Sequence, residues 1–188
     1  ILEVTLNNGV DPRSGKMIGI ETGDPRDFET FEELFDAYKK QVKYFEDVKV
    51  NGSNINTQLT AKYNPVPYMS LLTEDCIARG EDYNAGGARY NTTYLQGVGI
   101  GSITDALSSL KYNVYDKKRF TMDELLEAID HNFEGEKYQL IRNLVSRKTP
   151  KFGNDDDYAD DIMRAVFQYF HDTITGRPNM RRGEWRID

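Results

Sequence analysis

GGARYNTTYLQGVGIGSITD, residues 86–105, decides how the rest of the chain is read. Glycines at 86, 87, 97, 99 and 101 let the backbone pass close to neighbouring structure, and the segment leads without a break into an amphipathic helical pattern. Ile103, Ala106, Leu107 and Leu110 are the apolar positions of that helix. Ser102, with Asp105 three residues on, reads as its cap. Strand candidates lie beside it at 88–90 and 94–98, and a third at 184–187.

Upstream, residues 7–27 are rich in Gly, Pro, Asp and Asn, the chemistry of consecutive turns. Thr30 with Glu33 forms a capping box, after which Phe31, Leu34, Phe35, Tyr38, Val42 and Phe45 recur at helical spacing as a core-facing stripe. Asn51-Gly52 is expected to interrupt or bend this helix, with a more polar helix resuming before Pro65 and Pro67. Another helix is predicted over 68–79, stopped by Gly80.

Downstream, Thr121 with Glu124 repeats the capping signature ahead of Leu125, Leu126 and Ile129. A helix over 137–146 ends before Thr149-Pro150. Asn154 is the expected N-cap of the next, with Asp155, Asp156 and Asp157 where the positive end of the helix dipole favours carboxylates. That helix carries Ile162, Val166, Phe167, Phe170 and Ile174 on one face and ends at Gly176. The chain is therefore mostly helical, and its few strands cannot close a sheet alone.

Composition narrows the function classes. With 188 residues, 38% of them hydrophobic, a single domain with a sizeable core is possible. A formal charge of −7 with scattered Lys and Arg argues against a nucleic-acid partner. No apolar run approaches the ~20 residues that span a bilayer, and no signal peptide opens the chain, so a cytoplasmic protein without a membrane partner is expected. Cys76, the one cysteine, excludes an internal disulfide, and its helical context favours a buried, inert thiol. Both ends, ILEVTLNNG and GEWRID, read as segments already under way, so the chain is expected to be an internal piece of a larger protein.

Several motifs invite chemistry and most have a plainer reading. The run from Gly97 to Ser102 suggests phosphate binding, but the dinucleotide fingerprint requires Gly where Ser102 stands, and tight backbone passage is preferred. Five aspartates within 154–161 suggest calcium, yet the EF-hand spacing is absent and helix-start electrostatics accounts for them; no metal site is expected. His131 and His171 lie in no metal-spaced motif or triad. Arg89, Tyr90 and Asn91 form a polar trio after Gly86-Gly87 that faces either a carboxylate or another chain, or ties the loop internally through a salt bridge and hydrogen bonds; the internal tie is preferred.

Taken together, Leu6-Asn7-Asn8-Gly9, Ile20-Glu21-Thr22-Gly23-Asp24-Pro25, Tyr63-Asn64-Pro65-Val66-Pro67, GGARYNT, QGVGIG, FGNDDDYADD and Thr175-Gly176-Arg177-Pro178-Asn179 resemble the glycyl radical enzymes, within the pyruvate formate-lyase-like domain. The resemblance covers essentially the whole chain, residues 1–188, as an internal part of that domain truncated at both ends. It implies an α/β fold: a mainly helical internal segment, with few short strands, of a ten-stranded α/β barrel. The implied activity is that of a lyase, with radical dehydration of trans-4-hydroxy-L-proline ahead of the choline, diol, sulfonate and formate acetyltransferase-like chemistries. The implied longer protein carries a glycyl radical installed by a radical S-adenosylmethionine activating enzyme, acts on a small molecule, and is a homodimer.

None of the catalytic elements so implied falls in these residues. The thiyl Cys-x-Glu pair is expected before Ile1 and the radical-bearing Arg-Val-x-Gly-Tyr motif beyond Asp188; Cys76 is followed at the second position by Ala78 and does not match. The segment is thus expected to bind no cofactor, to contain no catalytic residue and to be inactive alone, with Arg89, Tyr90 and Asn91 as loop-positioning candidates. One departure is local, since Arg181-Arg182-Gly183 stands where relatives often have a glycine pair. A non-catalytic binding module using the 89–91 loop or the acidic 155–161 face is the alternative.

Overall fold

Thr30 and Glu33 cap each other as the spacing requires: Glu33 N–H donates to Thr30 Oγ1 (3.3 Å) and the Thr30 N–H to Glu33 Oε2 (3.0 Å). They open α2, Phe31–Tyr63, in a computed structural model that describes residues 1–188. The helix continues through Asn51-Gly52 without the interruption that was one of the two expectations there. Glycine costs a helix interior only ~1 kcal/mol relative to alanine. Burial of Val50 against Ile174 and Trp185, and the Trp185 Nε1–H bond to Asn54 Oδ1 (3.2 Å) one turn on, offset it.

The chain divides into two compact units, 1–44 with 99–169, and 45–98 with 170–188. In the first, α1 (Leu2–Leu6) precedes a short antiparallel hairpin of β1 (Val10–Asp11) and β2 (Lys16–Met17). The turn-rich chemistry of 7–27 is held by two side chains. Asn8 Oδ1 accepts from the N–H groups of Thr22 and Gly23 (both 2.8 Å), and the fully buried Gln41 accepts from Ile20 N–H (3.1 Å) while donating back to the Ile20 carbonyl.

The first half of α2 buries Leu34, Tyr38 and Val42 against α5 (Ile100–Leu110), α6 (Met122–Asp130), α7 (Glu136–Arg147) and α8 (Asp157–Ile174). Leu107, Leu125, Ile141, Ile162 and Val166 complete this core. Each such side chain contributes about 1.5–3 kcal/mol through burial. The predicted Thr121–Glu124 box is present at the start of α6. The structure departs from the sequence pattern at three positions. Helix α5 begins at Ile100 with Gly99 as its N-cap (φ 86°), so Ser102 lies inside it and Asp105 instead accepts from Phe152 N–H (2.9 Å). Asn154 does not cap α8: Gly153 and Asp155, both at positive φ, prolong the turn, and Asp156 Oδ1 accepts from Tyr158 N–H (3.0 Å). Phe167 stays 46% exposed, off the buried stripe of Ile162 and Val166.

Between α5 and α6 the chain makes a π-helical turn, Lys111–Asp116. Fully buried Asn113 sits in it, donating to Ser109 O and Thr149 Oγ1 and accepting from Arg119 Nη1. Those bonds satisfy the Asn113 amide that the wider turn places in the interior, whereas the Tyr115 hydroxyl of the same turn is buried without a hydrogen-bond partner.

In the second unit the predicted 68–79 helix is two pieces, α3 (Pro67–Leu72) and α4 (Cys76–Arg79). Thr73 is extended and Asp75 left-handed (φ 74°), because the Asp75 carboxylate is drawn to Arg79 and Arg89. Gly80 ends α4 in the left-handed conformation, as expected of a stop glycine. Residues 88–90 are not a strand, since the Ala88 carbonyl is taken by Arg79 Nη1 (2.7 Å) and Asn91 Nδ2 (2.9 Å). The strands that form are β3 (Thr93–Leu95) and β4 (Trp185–Ile187), paired parallel with Thr93 opposite Trp185 and Leu95 opposite Ile187. Four strands of two or three residues each among the helices match the mainly helical segment the sequence implies.

Candidate functional site

The polar trio sits where two loops of the second unit meet. Arg89 forks onto Asp75, with Nε to Oδ2 at 3.1 Å and Nη2 to Oδ1 at 2.9 Å, and its Nη1 meets Glu74 Oε2 at 2.9 Å. The guanidinium hydrogen bonds hold the Asp75 carboxyl below the usual carboxylate range. Asn91 is buried and donates to the Gly86 and Ala88 carbonyls (both 2.9 Å), while Tyr90 projects outward, 84% exposed. Arg89 and Asn91 thus fasten the loop, and Tyr90 is left to solvent.

Glycine makes this closeness possible. A Cβ on Gly87 would lie 2.1 Å from the Glu81 carbonyl oxygen, on Gly86 2.6 Å from that of Arg181, and on Gly183 2.2 Å from that of Asn91. Asn179 stitches the two loops. Its Nδ2 donates to Asn91 O, Thr93 Oγ1 (2.9 Å) and Glu184 O (3.3 Å), and its Oδ1 accepts from the N–H groups of Arg181 (2.9 Å) and Gly183 (2.8 Å). Arg181 lies over the Tyr83 ring, 4.4 Å from its centroid. Arg182 takes φ 66° and pairs with Glu81. The loop therefore keeps a glycine-like turn with an arginine in it.

A cavity of about 440 Å³ opens there, walled by Arg79, Arg89, Tyr90, Thr92, Arg182 and Glu184 among others. A larger one, about 750 Å³, lies in the first unit over Leu6, Leu110, Leu125, Leu126 and Phe133, with Arg13 and Lys151 among its polar lining. The larger one brings Lys151 Nζ within 3.3 Å of Ser109 Oγ, but the lysine donates to that oxygen and the serine hydroxyl is given to the Val145 carbonyl (3.3 Å), so the pair is tied to the backbone.

The remaining reactive groups are structurally engaged. Cys76 is buried. His131 Nδ1 lies 2.8 Å from the Glu127 carbonyl and its ring stacks on Tyr138; His171 Nδ1 lies 3.1 Å from Asp172 Oδ1. Burial, reinforced by the Glu33 charge, pushes the Tyr115 phenol up to about 12. Burial and then the hydrogen bond to Asp116 Oδ2 (2.8 Å) raise Tyr158 as well. No group of three His, Cys, Asp or Glu side chains is placed to hold a metal, Asp155, Asp156 and Asp157 included. Gly97 passes against Phe170, whose Cε1 would stand 3.1 Å from a Cβ there, but the close passage read from the glycines stops at that position: Gly99 has open space and is required by its φ of 86°, and at Gly101 a Cβ would make an ordinary 3.5 Å contact with Phe152. No helix is long and apolar enough to cross a membrane.

Asn179 and Asp75 were not singled out in the sequence. Asn179 follows Pro178 in a turn composition and carries no local sign that its partners lie at positions 91–93. Arg182 could be suspected from its place before Gly183.

Comparison with known proteins bears on the chain as a whole. The family model described as "Pyruvate formate lyase-like" matches residues 1–188. The chain is 59% identical over its full length to trans-4-hydroxy-L-proline dehydratase of Clostridioides difficile, covering 24% of that protein. It is 34% identical over 98% of its length to (2S)-3-sulfopropanediol dehydratase of Klebsiella oxytoca, covering 22% of it. Among solved structures, hydroxyproline dehydratase from Clostridioides difficile with trans-4-hydroxy-L-proline bound superposes with a TM-score of 0.96, over 100% of this chain and 23% of that one, at 59% identity. The chain therefore spans about a quarter of the length of the curated relatives it matches.

Proposed function

The chain belongs to the pyruvate formate lyase-like family, and from that premise we propose that it is an internal, scaffolding part of a glycyl radical dehydratase acting on trans-4-hydroxy-L-proline. The observation that carries this reading is 59% identity sustained over all 188 residues to one dehydratase, against 34% to a dehydratase of another substrate. The reaction removes water from the substrate by cleaving its C–O bond and leaves a pyrroline carboxylate.

In this reading the polypeptide is about four times as long as the chain, as its relatives are. Its other segments hold the thiyl cysteine and the radical glycine. A radical S-adenosylmethionine enzyme installs the radical, the enzyme is a cytoplasmic homodimer, and the 188 residues alone are inactive. Their own contribution is positional. The Asn179 and Arg89 networks fix the loops flanking β3 and β4, and Gln41 with Asn8 fixes the 20–23 turn. Arg89 and Asn91 are loop-positioning residues, whereas Tyr90 is outward-facing and carries no such contact.

The test is activation of the intact polypeptide without oxygen by a radical S-adenosylmethionine enzyme. A carbon-centred radical signal together with a pyrroline carboxylate from trans-4-hydroxy-L-proline is expected. A radical signal without that product, beside turnover of a diol or a sulfonate, would sink the substrate assignment and leave the family intact.

A further inference from the structure

Arg182 holds a left-handed backbone (φ 66°) that glycine adopts freely and arginine does not. The turn cannot relax by shifting, because Asn179 Oδ1 holds the N–H groups on either side of Arg182 and Gly183 already touches the Asn91 carbonyl. The outcome is a guanidinium set at the wall of the 440 Å³ cavity. Strain retained at one residue by rigid surroundings points from the outlier toward a use for its side chain.

The donors on that wall are only partly committed. Arg182 engages Glu81 through Nη2 alone, leaving Nε and Nη1, and its side chain is 67% exposed. Arg79 gives Nη1 to the Gly87 and Ala88 carbonyls and approaches Asp75 through Nη2, leaving Nε. Arg89 is fully held by Asp75 and Glu74. The one carboxylate on the wall, Glu184, is already paired with Arg186 (2.8 Å). Thr92 and exposed Tyr90 add hydroxyls.

We infer that this cavity binds a small oxyanion, a phosphate or a carboxylate, with the Arg182 guanidinium as its principal donor. A guanidinium offering adjacent N–H groups matches two oxygens of such an ion side by side. Because Asp75, Glu74 and Glu81 balance the arginines from outside the wall, recognition rests on donor geometry rather than net charge. The inference stands whatever the substrate of the longer enzyme.

Inorganic phosphate and acetate serve as probes, titrated calorimetrically at low ionic strength into the protein and three variants. Arg182→Gly removes the guanidinium and relieves the backbone, so it has no route to misfolding through φ. Arg182→Lys keeps the charge and loses the fork, and Arg142→Gln removes a distant exposed charge. Saturable binding of at least one anion is expected in the native protein and in Arg142→Gln, weakened tenfold or more in Arg182→Gly and at least threefold in Arg182→Lys. Saturation by phosphate alone or by acetate alone names the ion. Absence of saturable binding of both, or binding that Arg182→Gly leaves within twofold, overturns the assignment.

Discussion

Replacing Asn179 by alanine removes five hydrogen bonds at once, yet the partners do not suffer equally. Glu184 O keeps the Thr93 N–H (3.0 Å), and the Thr93 hydroxyl oxygen, the acceptor in its bond with Asn179, can take a water instead. Left without their bond are the Asn91 carbonyl, in a buried residue, and the N–H groups of half-buried Arg181 and Gly183. An unsatisfied buried group costs ~1–3 kcal/mol, and a half-exposed one that recruits water less, so Asn179→Ala should destabilise by about 2–4 kcal/mol. With a urea dependence of ~2 kcal/mol per molar, the midpoint falls by about 1–2 M. Asn179→Asp sharpens the argument. It keeps the acceptor for Arg181 and Gly183 but sets an anionic oxygen against the Asn91 carbonyl, which raises the folded pKa of the new carboxyl. A raised folded pKa means that stability returns as the group protonates, so the deficit of Asn179→Asp relative to the native protein should shrink between pH 7 and pH 5. Urea titrations at the two pH values read this directly. A loss below about 0.5 kcal/mol for Asn179→Ala, or an Asn179→Asp deficit indifferent to pH, would refute the view that Asn179 joins the loops.

Other expectations follow from single contacts. Leu107→Ala, at a fully buried core position, should cost about 2–5 kcal/mol in urea denaturation. Gly87→Ala should destabilise by at least ~1–3 kcal/mol, because its Cβ meets backbone at 2.1 Å, whereas Gly52→Ala, with open space around it inside α2, should stabilise by about 0.5–1 kcal/mol; equal effects would contradict the packing. The neutral phenols of Tyr115 and Tyr158 have raised folded pKa values, so their contribution is complete below about pH 10 and is lost as pH rises from there through about 12 for Tyr115. Ultraviolet titration should show tyrosines ionising late and together with unfolding; all twelve titrating near 10 in the folded protein would contradict it.

Local signals were legible where the physics is local. Both Thr-x-x-Glu boxes cap helices, Gly80 terminates one, and the Phe31–Val42 stripe is core, because capping and periodicity act within a few residues. Reading failed where distant groups decide. Asn51-Gly52 looks like a break until Trp185 packs on the same helix, and 68–79 looks continuous until Arg89 pulls Asp75 out of register. The loop junction was half visible. Glycines at 86, 87 and 183 announced a close approach, but nothing near Asn179 announced which backbone it would hold.

The central claim is the substrate proposed for the longer polypeptide. The measurement that tests it most directly is a competition among trans-4-hydroxy-L-proline, 1,2-propanediol and 3-sulfopropanediol for the intact, anaerobically activated polypeptide, with products followed by nuclear magnetic resonance. The account predicts consumption of hydroxyproline with formation of a pyrroline carboxylate while the other two persist. Preferential loss of either diol would contradict it.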